Sequence, residues 1–207
     1  MKTTTLAAIF AGLLLAGWMT AGQTDQGGTN ASMSVAELMR LLPAGPDMDS
    51  PDDLRNLQTL KSIGPGLLPV IADAMDRSTN LVETSRLVAL ALEIPGDRSP
   101  IIPRLHRLLD GGEGSKMLAI LALRDIGSGS DCPRLLPLLN DPSEAVRMNA
   151  ARILAKLGDE NALLEMTRAV GQRKAGLKAE ELRKDYSISE MEKAITALGK
   201  RLDRSKK

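Results

Sequence analysis

The fold is decided by two stretches of sequence that repeat one another in a fixed register. They read DGGEGSKMLAILALRDIG at 110–127 and DPSEAVRMNAARILAKLG at 141–158. Acidic, basic, apolar and glycine positions coincide in this register, from Asp110 and Asp141 at the start to Gly127 and Gly158 at the end. Agreement of residue classes at a fixed interval indicates an internal repeat.

Glycines recur at nearly the same interval, at positions 64, 96, 127 and 158. Each follows a run whose apolar residues lie three and four apart, which is typical of an amphipathic helix. Glycine often ends a helix because it accepts a left-handed backbone. We therefore expect four first helices, at about 50–63, 80–93, 114–126 and 143–157.

A second apolar segment follows each glycine, and prolines such as Pro65, Pro103 and Pro133 open three of them. Proline suits the first turn of a helix, where its missing N–H has no partner to lose. These segments predict second helices at about 65–76, 100–109, 132–139 and 160–170. A single helix pair cannot bury its own apolar face, so the pairs must stack. The sequence thus predicts an all-α protein, an α-solenoid of about four to five helix-pair repeats.

The repeat resembles the HEAT-repeat family, particularly its short bacterial form, the phycobilisome-lyase-type HEAT-like repeat. The residues that carry the resemblance are Asp141, Val146-Arg147, Ala150-Ala151, Leu154 and Leu157-Gly158. The resemblance implies that an acidic and a basic residue six apart brace adjacent repeats, here Asp141 with Arg147 and Asp110 with Lys116. It also implies that the second helices line the concave side of the array.

Residues 1–22 have the layout of a secretory signal peptide. Lys2 precedes an apolar run from Leu6 to Trp18, and small residues follow at Ala21 and Gly22. This run is shorter than the roughly 20 apolar residues that a spanning helix needs. We therefore expect a signal peptide that is cut after Ala21 or Gly22. The protein should then be exported to the periplasm or the extracellular space, with no stable membrane insertion after the cut. A retained anchor is the alternative.

The remaining chain divides by composition. Residues 23–33 predict a flexible polar leader, 34–46 a lead helix and turn, 47–170 the HEAT-like repeats, and 171–207 a degenerate repeat or basic C-terminal cap. Residues 174–186 could form a fifth first helix, and Ser187 with Glu190 predicts a capping box that opens a last helix. The apolar spacing within 187–202 fits either a cap on the last repeat or a seam for homo-oligomers.

Composition excludes several classes of function. One cysteine and one histidine exclude a disulfide framework, a cysteine-based zinc site and a cluster of histidine ligands. A net charge of +1 gives little drive for nucleic-acid binding. Removal of the signal would leave Tyr186 as the only aromatic ring, which cannot form a base-stacking platform.

Candidate catalytic and metal-binding residues are few. His106 should face solvent or the groove, with no carboxylate close in sequence, and Cys132 should be either buried or bridged between chains. A Cys–His nucleophilic pair would require folding to bring the two together. The acidic residues at 47, 49, 52 and 53 lack the glycine of a calcium loop and fit helix capping better. We expect no cofactor and no metal.

The candidate binding surface is the exposed side of the second helices. Its residues there are Arg104, His106, Arg107, Arg134 and Arg168. Guanidinium groups pair bidentately with carboxylates, so this set predicts an acidic protein or peptide as partner. The alternative is a solvated face that balances Asp73, Asp131 and Glu165.

The sequence therefore favours an exported, non-enzymatic scaffold that binds a protein or peptide. Two alternatives stay open. One is an accessory lyase-type enzyme acting on a cofactor-bearing protein, and the other is a self-assembling structural component.

Overall fold

The structure is a computed structural model that describes residues 33–42 and 50–206. The predicted signal peptide at 1–22, the leader up to residue 32, the turn at 43–46 and the acidic residues Asp47 and Asp49 lie outside the described residues.

The described chain consists of helices joined by short turns, and it contains no β-strand. Its α-helices are α1 Val35–Leu41, α2 Pro51–Ile63, α3 Leu68–Arg77, α4 Leu81–Glu93, α5 Ile102–Leu108, α6 Glu113–Ile126, α7 Cys132–Leu135, α8 Glu144–Leu157, α9 Glu160–Gly176, α10 Ala179–Lys184 and α11 Tyr186–Ser205. Short 3-10 helices cover Gly64–Leu67, Gly129–Asp131 and Leu136–Asn140.

The helices pair and stack as the sequence predicts. Helices α2, α4, α6 and α8 are the first helices of four repeats, and α3, α5, α7 and α9 are the second helices. Helix α4 packs on α6, α6 on α8, and α8 on α11. Because each repeat covers the apolar side of the next, the buried leucines, isoleucines and alanines form one continuous core. The all-α solenoid is confirmed.

Polar caps fix where the first helices begin. The side chain of Ser50 accepts a hydrogen bond from the Asp53 amide at 3.0 Å, and Ser143 caps α8 in the same way. Asp52 and Asp53 lie in the first turn of α2, where the helix dipole favours negative charge. The capping interpretation is thus confirmed for these two aspartates.

The glycines at the ends of the first helices serve two different purposes. Gly64 and Gly96 have φ angles of 70° and 116°, a backbone that other residues rarely adopt. Gly127 and Gly158 have ordinary φ angles of −72° and −68°, so the expected left-handed stop is wrong there. Gly158 is required for a steric reason. A Cβ at this position would lie 2.5 Å from the Leu154 carbonyl oxygen and 2.7 Å from the Ala162 Cβ.

Replacing Gly158 by alanine is expected to lower the free energy of unfolding by about 1–3 kcal/mol, since the added methyl overpacks the turn. Gly171 is the matched control, because it lies within α9 and a Cβ there would meet no atom of the described chain within 4 Å. Gly171→Ala should therefore stabilise the protein by roughly 0.5–1 kcal/mol through helix propensity. Urea unfolding measures both variants, and equal effects would contradict the steric explanation.

The C-terminal segment differs from the sequence prediction. Helix α9 continues to Gly176, so residues 174–186 do not form a fifth first helix. Helix α11 instead occupies the position of a fifth first helix, where it packs on both α8 and α9. The predicted capping box is also wrong, because Asp185 caps α11 while Ser187 is buried.

The apolar residues of α11 face the inside of the molecule. Ile188, Met191 and Leu198 are buried, and Ile195 and Leu202 pack against the same core. The apolar residues within 187–202 thus cover the last repeat, as one of the two interpretations predicts, and within the described chain they are not free to form a seam between copies. Charged side chains occupy the outer side, among them Lys193, Lys200 and Arg204.

Candidate functional site on the second-helix face

The second-helix face is the exposed side of α3, α5, α7 with its 3-10 continuation, and α9. Helix α3 contacts α5, and the segment Leu136–Asn140 contacts α9. A hydrogen bond between His106 and Asp131 joins the second and third repeats. The five candidate residues lie on three successive second helices, but the structure gives them different roles.

Arg104 is a brace between repeats rather than an open binding group. Its Nε and Nη2 donate to the Asp76 carboxylate at 3.1 and 2.9 Å, and Nη1 donates to the Pro100 carbonyl at 3.0 Å. Only 24% of its side chain is exposed. All three nitrogens of the guanidinium are engaged in this way, so Arg104 contributes positive charge more than a contact.

Arg107, Arg134 and Arg168 are the accessible arginines, with side chains 59%, 58% and 53% exposed. Arg107 donates one Nη2 bond to Asp76, and Arg168 donates from Nη1 to Glu165 at 2.5 Å. The Arg134 Nη1 lies 3.8 Å from Asp110. Each guanidinium thus has a nearby carboxylate and keeps other N–H groups for a second acceptor.

His106 has a carboxylate partner that is remote in sequence. Its Nε2 lies 2.7 Å from Oδ1 of Asp131, and the Ser128 amide donates to Oδ2 of the same residue at 2.7 Å. Asp131 is buried, and these bonds satisfy it. As expected, the carboxylate beside His106 is not close to it in sequence, because Asp131 lies 25 residues further on, in the next repeat.

Cys132 is buried, as one of the two interpretations predicts, and its thiol is free. Burial, together with the negative charges of Asp159 and Asp131, raises the pKa of this thiol. A nucleophilic cysteine needs the opposite shift. Cys132 and His106 share no hydrogen bond in the described chain, and the Nε2 of His106 lies against Asp131.

Three of the four residues expected to brace the repeats, Lys116, Asp141 and Arg147, form a directional series of contacts. The Nζ of Lys116 donates to the Asp141 carboxylate at 2.6 Å, so the base of the third repeat binds the acid of the fourth. Arg147 contacts Asp141 through the backbone carbonyl of that residue, at 2.8 Å. Asp110 is exposed beside Arg134 and does not serve as a brace.

Arg147 extends this series of contacts to the C-terminal helix, α11. Its side chain is 5% exposed, its Nε donates to Ser187 at 2.9 Å, and its Nη2 lies 3.5 Å from Asp185. Burial alone would raise the pKa of Asp185. The hydrogen bonds from Ser187 and Arg173 and the charges of Arg173 and Arg147 outweigh it and hold that pKa below its usual value. The ion pair between Arg147 and Asp185 therefore holds the start of α11 against the last repeat.

One known family matches part of the chain. The match is to the family described as HEAT repeats, and it covers residues 100–178, somewhat more than a third of the sequence. Residues 100–178 are thus similar to HEAT repeats. No curated protein and no solved structure matches the chain.

The HEAT family is in general a non-enzymatic scaffold, and its repeats commonly mediate protein interactions. Within the described ranges, His, Cys, Asp and Glu side chains nowhere gather in a group of three that could hold a metal ion. None of the helices in this part of the chain combines the length and the hydrophobicity that crossing a bilayer requires.

The candidate set omits the acidic residues that pair with its arginines across adjacent repeats, although their spacing in the sequence indicates them. Asp76 precedes Arg107 by one repeat interval, and Asp73 precedes Arg104 by the same interval. Equivalent positions of successive repeats are neighbours in space, so opposite charges at this spacing predict an ion pair. Asp185 offers no such signal, because it lies well beyond one repeat interval after Asp141.

Proposed function

We propose that the protein is a scaffold that binds an acidic segment of another protein through Arg107, Arg134 and Arg168. The observation that carries the proposal is that three successive second helices each present one arginine that is more than half exposed. Acceptors on an extended partner could meet all three at once.

Internal ion pairs do not prevent this use of the arginines. Exposed ion pairs contribute only about 0–1 kcal/mol, so a partner carboxylate can compete with them. Arg107 and Arg104 share the carboxylate of Asp76. The Nε and Nη1 of Arg107 therefore have no acceptor in the described chain. The N–H groups on Nε and Nη1 point to different sides of the guanidinium, so each can donate a hydrogen bond to a separate acceptor of the partner.

Charge reversal at two of these arginines should abolish most of the binding. We expect Arg107→Glu/Arg134→Glu to weaken binding of a fluorescein-labelled peptide of twelve glutamates at least about tenfold, which corresponds to ~1.4 kcal/mol. Fluorescence anisotropy measures the affinity. The matched control is Lys200→Glu/Arg204→Glu, which changes the net charge equally on the outer side of α11 and should alter the affinity less than twofold.

Two results would contradict this proposal. One is that the wild-type protein does not bind the peptide, and the other is that both double variants lose affinity to the same extent. Circular dichroism spectra and melting curves of each variant establish that the solenoid is intact.

We further propose that the protein is exported and acts outside the cytoplasm. The support is the layout of residues 1–22, which combines Lys2, a short apolar run and small residues near Ala21. Intact-mass measurement of the protein recovered from the exported fraction of a bacterial host should show a chain that begins at Gly22 or Gln23. An unprocessed chain beginning at Met1 and confined to the cytoplasm would disprove export.

A further inference from the structure

A pocket of about 400 Å³ opens between the second and third repeats, beside the second-helix face. Its walls come from the turn 97–99, the start of α5, the end of α6 and the turn 128–131. Ile102, Pro103 and Ile126 supply its apolar surface. The volume is sufficient for one or two side chains of a partner.

The charges that line the pocket favour a cation. Asp97 and Asp131 line it against a single arginine, Arg98. Arg98 directs its Nε and Nη2 to the Ala91 and Leu92 carbonyls at 3.2 and 2.9 Å, where it caps the end of α4. The carboxyl end of α6 also borders the pocket, and its dipole adds partial negative charge.

Asp97 is the accessible carboxylate of the pair. It is exposed, and hydrogen bonds from the backbone and the hydroxyl of Ser99 lower its pKa, so it is ionised at neutral pH. Asp131 is buried and satisfied by His106 and Ser128, and it contributes charge rather than a contact. An ammonium or guanidinium group could therefore reach Asp97 while its aliphatic stem packs on the apolar wall at the start of α5.

The pocket and the nearest exposed arginine are one helical turn apart. Pro103 and Arg107 are both exposed on α5, and residues four apart on a helix have Cβ atoms about 5–6 Å apart. A side chain seated against Pro103 in the pocket therefore lies beside the part of α5 that carries Arg107.

We infer that the partner segment carries a basic residue close to an acidic one, with the basic side chain in the pocket at Asp97 and the acidic side chain on Arg107. This inference rests on the proposed function, because it names the charge pattern that the second-helix face recognises. It adds a specific cation subsite to a row of arginines that alone would select only for negative charge.

Three labelled peptides of equal length test it. The alternating peptide contains three copies of the unit Lys-Thr-Glu-Thr, the block peptide has the same composition with all lysines at one end and all glutamates at the other, and the third peptide consists of twelve glutamates. Threonine is used because it favours an extended chain.

The wild-type protein should bind the alternating peptide at least about fivefold more tightly than the block peptide, which corresponds to roughly 1 kcal/mol. Asp97→Asn should remove that preference and leave the affinity for twelve glutamates undiminished. Fluorescence anisotropy measures all three affinities.

Asp97→Asn keeps the side-chain acceptor of the turn at Ser99, so the variant should fold normally, and its melting curve checks this. Asp203→Asn, an exposed position on α11, is the matched control and should change none of the three affinities.

Suppose that the peptide of twelve glutamates binds and that its binding depends on Arg107 and Arg134. The pocket assignment alone is then contradicted if the wild-type protein shows no preference for the alternating peptide. It is also contradicted if Asp97→Asn leaves that preference intact. If none of the three peptides binds the wild-type protein, the proposed function fails together with it.

Discussion

Replacing Arg147 by methionine is expected to lower the free energy of unfolding by about 3–5 kcal/mol, the largest loss that we predict for a single substitution. Methionine fills similar space but removes the guanidinium, which donates to Ser187, to the Asp141 carbonyl and toward Asp185. Asp185, with its side chain 8% exposed, would lose one of its two cationic partners. Urea unfolding followed by circular dichroism measures the loss.

Arg152 is the matched control on the same helix. Its side chain is 54% exposed and pairs with Glu190 at 2.6 Å. A surface pair of this kind is worth about 0–1 kcal/mol, so Arg152→Met should be nearly neutral. If Arg147→Met were equally mild, the buried pair would not hold α11 onto the last repeat.

Replacing Asp185 by asparagine is expected to cost about 2–4 kcal/mol at pH 7, because Arg147 and Arg173 would lose their shared carboxylate. The double variant Arg147→Met/Asp185→Asn should lose less than the sum of the two single variants, since the two residues act through one interaction. Strict additivity in urea unfolding would contradict this coupling.

The same aspartate gives the fold a predictable sensitivity to acid. Because the pKa of Asp185 is lower in the folded protein than in the unfolded chain, its contribution to stability is complete above about pH 5. The contribution is lost as the pH falls through the unfolded value near about 3.9 toward the folded one. Wild-type stability should therefore fall more steeply below pH 5 than that of Asp185→Asn. Parallel curves for the two proteins would contradict the assignment.

The architecture can be predicted from the sequence because its determinants are local and periodic. The pattern predicts α8 at 143–157 and α4 at 80–93, and these helices span Glu144–Leu157 and Leu81–Glu93. Apolar spacing fixes the buried side of such helices, and caps fix their ends. The repeat interval then determines that the pairs stack.

The parts that cannot be predicted depend on departures from the repeat. The extension of α9 to Gly176 and the insertion of α10 shift the last ion pair to Asp185, and a constant repeat interval cannot indicate such a shift. The different backbones of Gly64 and Gly158 also escape sequence patterns, since both follow an apolar helix in the same way.

The candidate binding residues can be predicted only as a group. Composition and spacing place arginines on the second helices, but they do not distinguish Arg104, which Asp76 and Pro100 hold, from the exposed Arg107. That distinction depends on which carboxylates the stacking brings close. The pocket beside Asp97 is likewise formed by two turns from different repeats, so no local sequence motif predicts it.

Mapping where an acidic segment binds on the protein tests the role of the second-helix face most directly. Titration of the ¹⁵N-labelled protein with a peptide of twelve glutamates should shift the backbone amide signals around Arg107, Arg134 and Arg168 and leave those of the outer side of α11 unchanged. Shifts concentrated near Lys200 and Arg204, or spread evenly over the solenoid, would show that the second-helix face is not the binding surface.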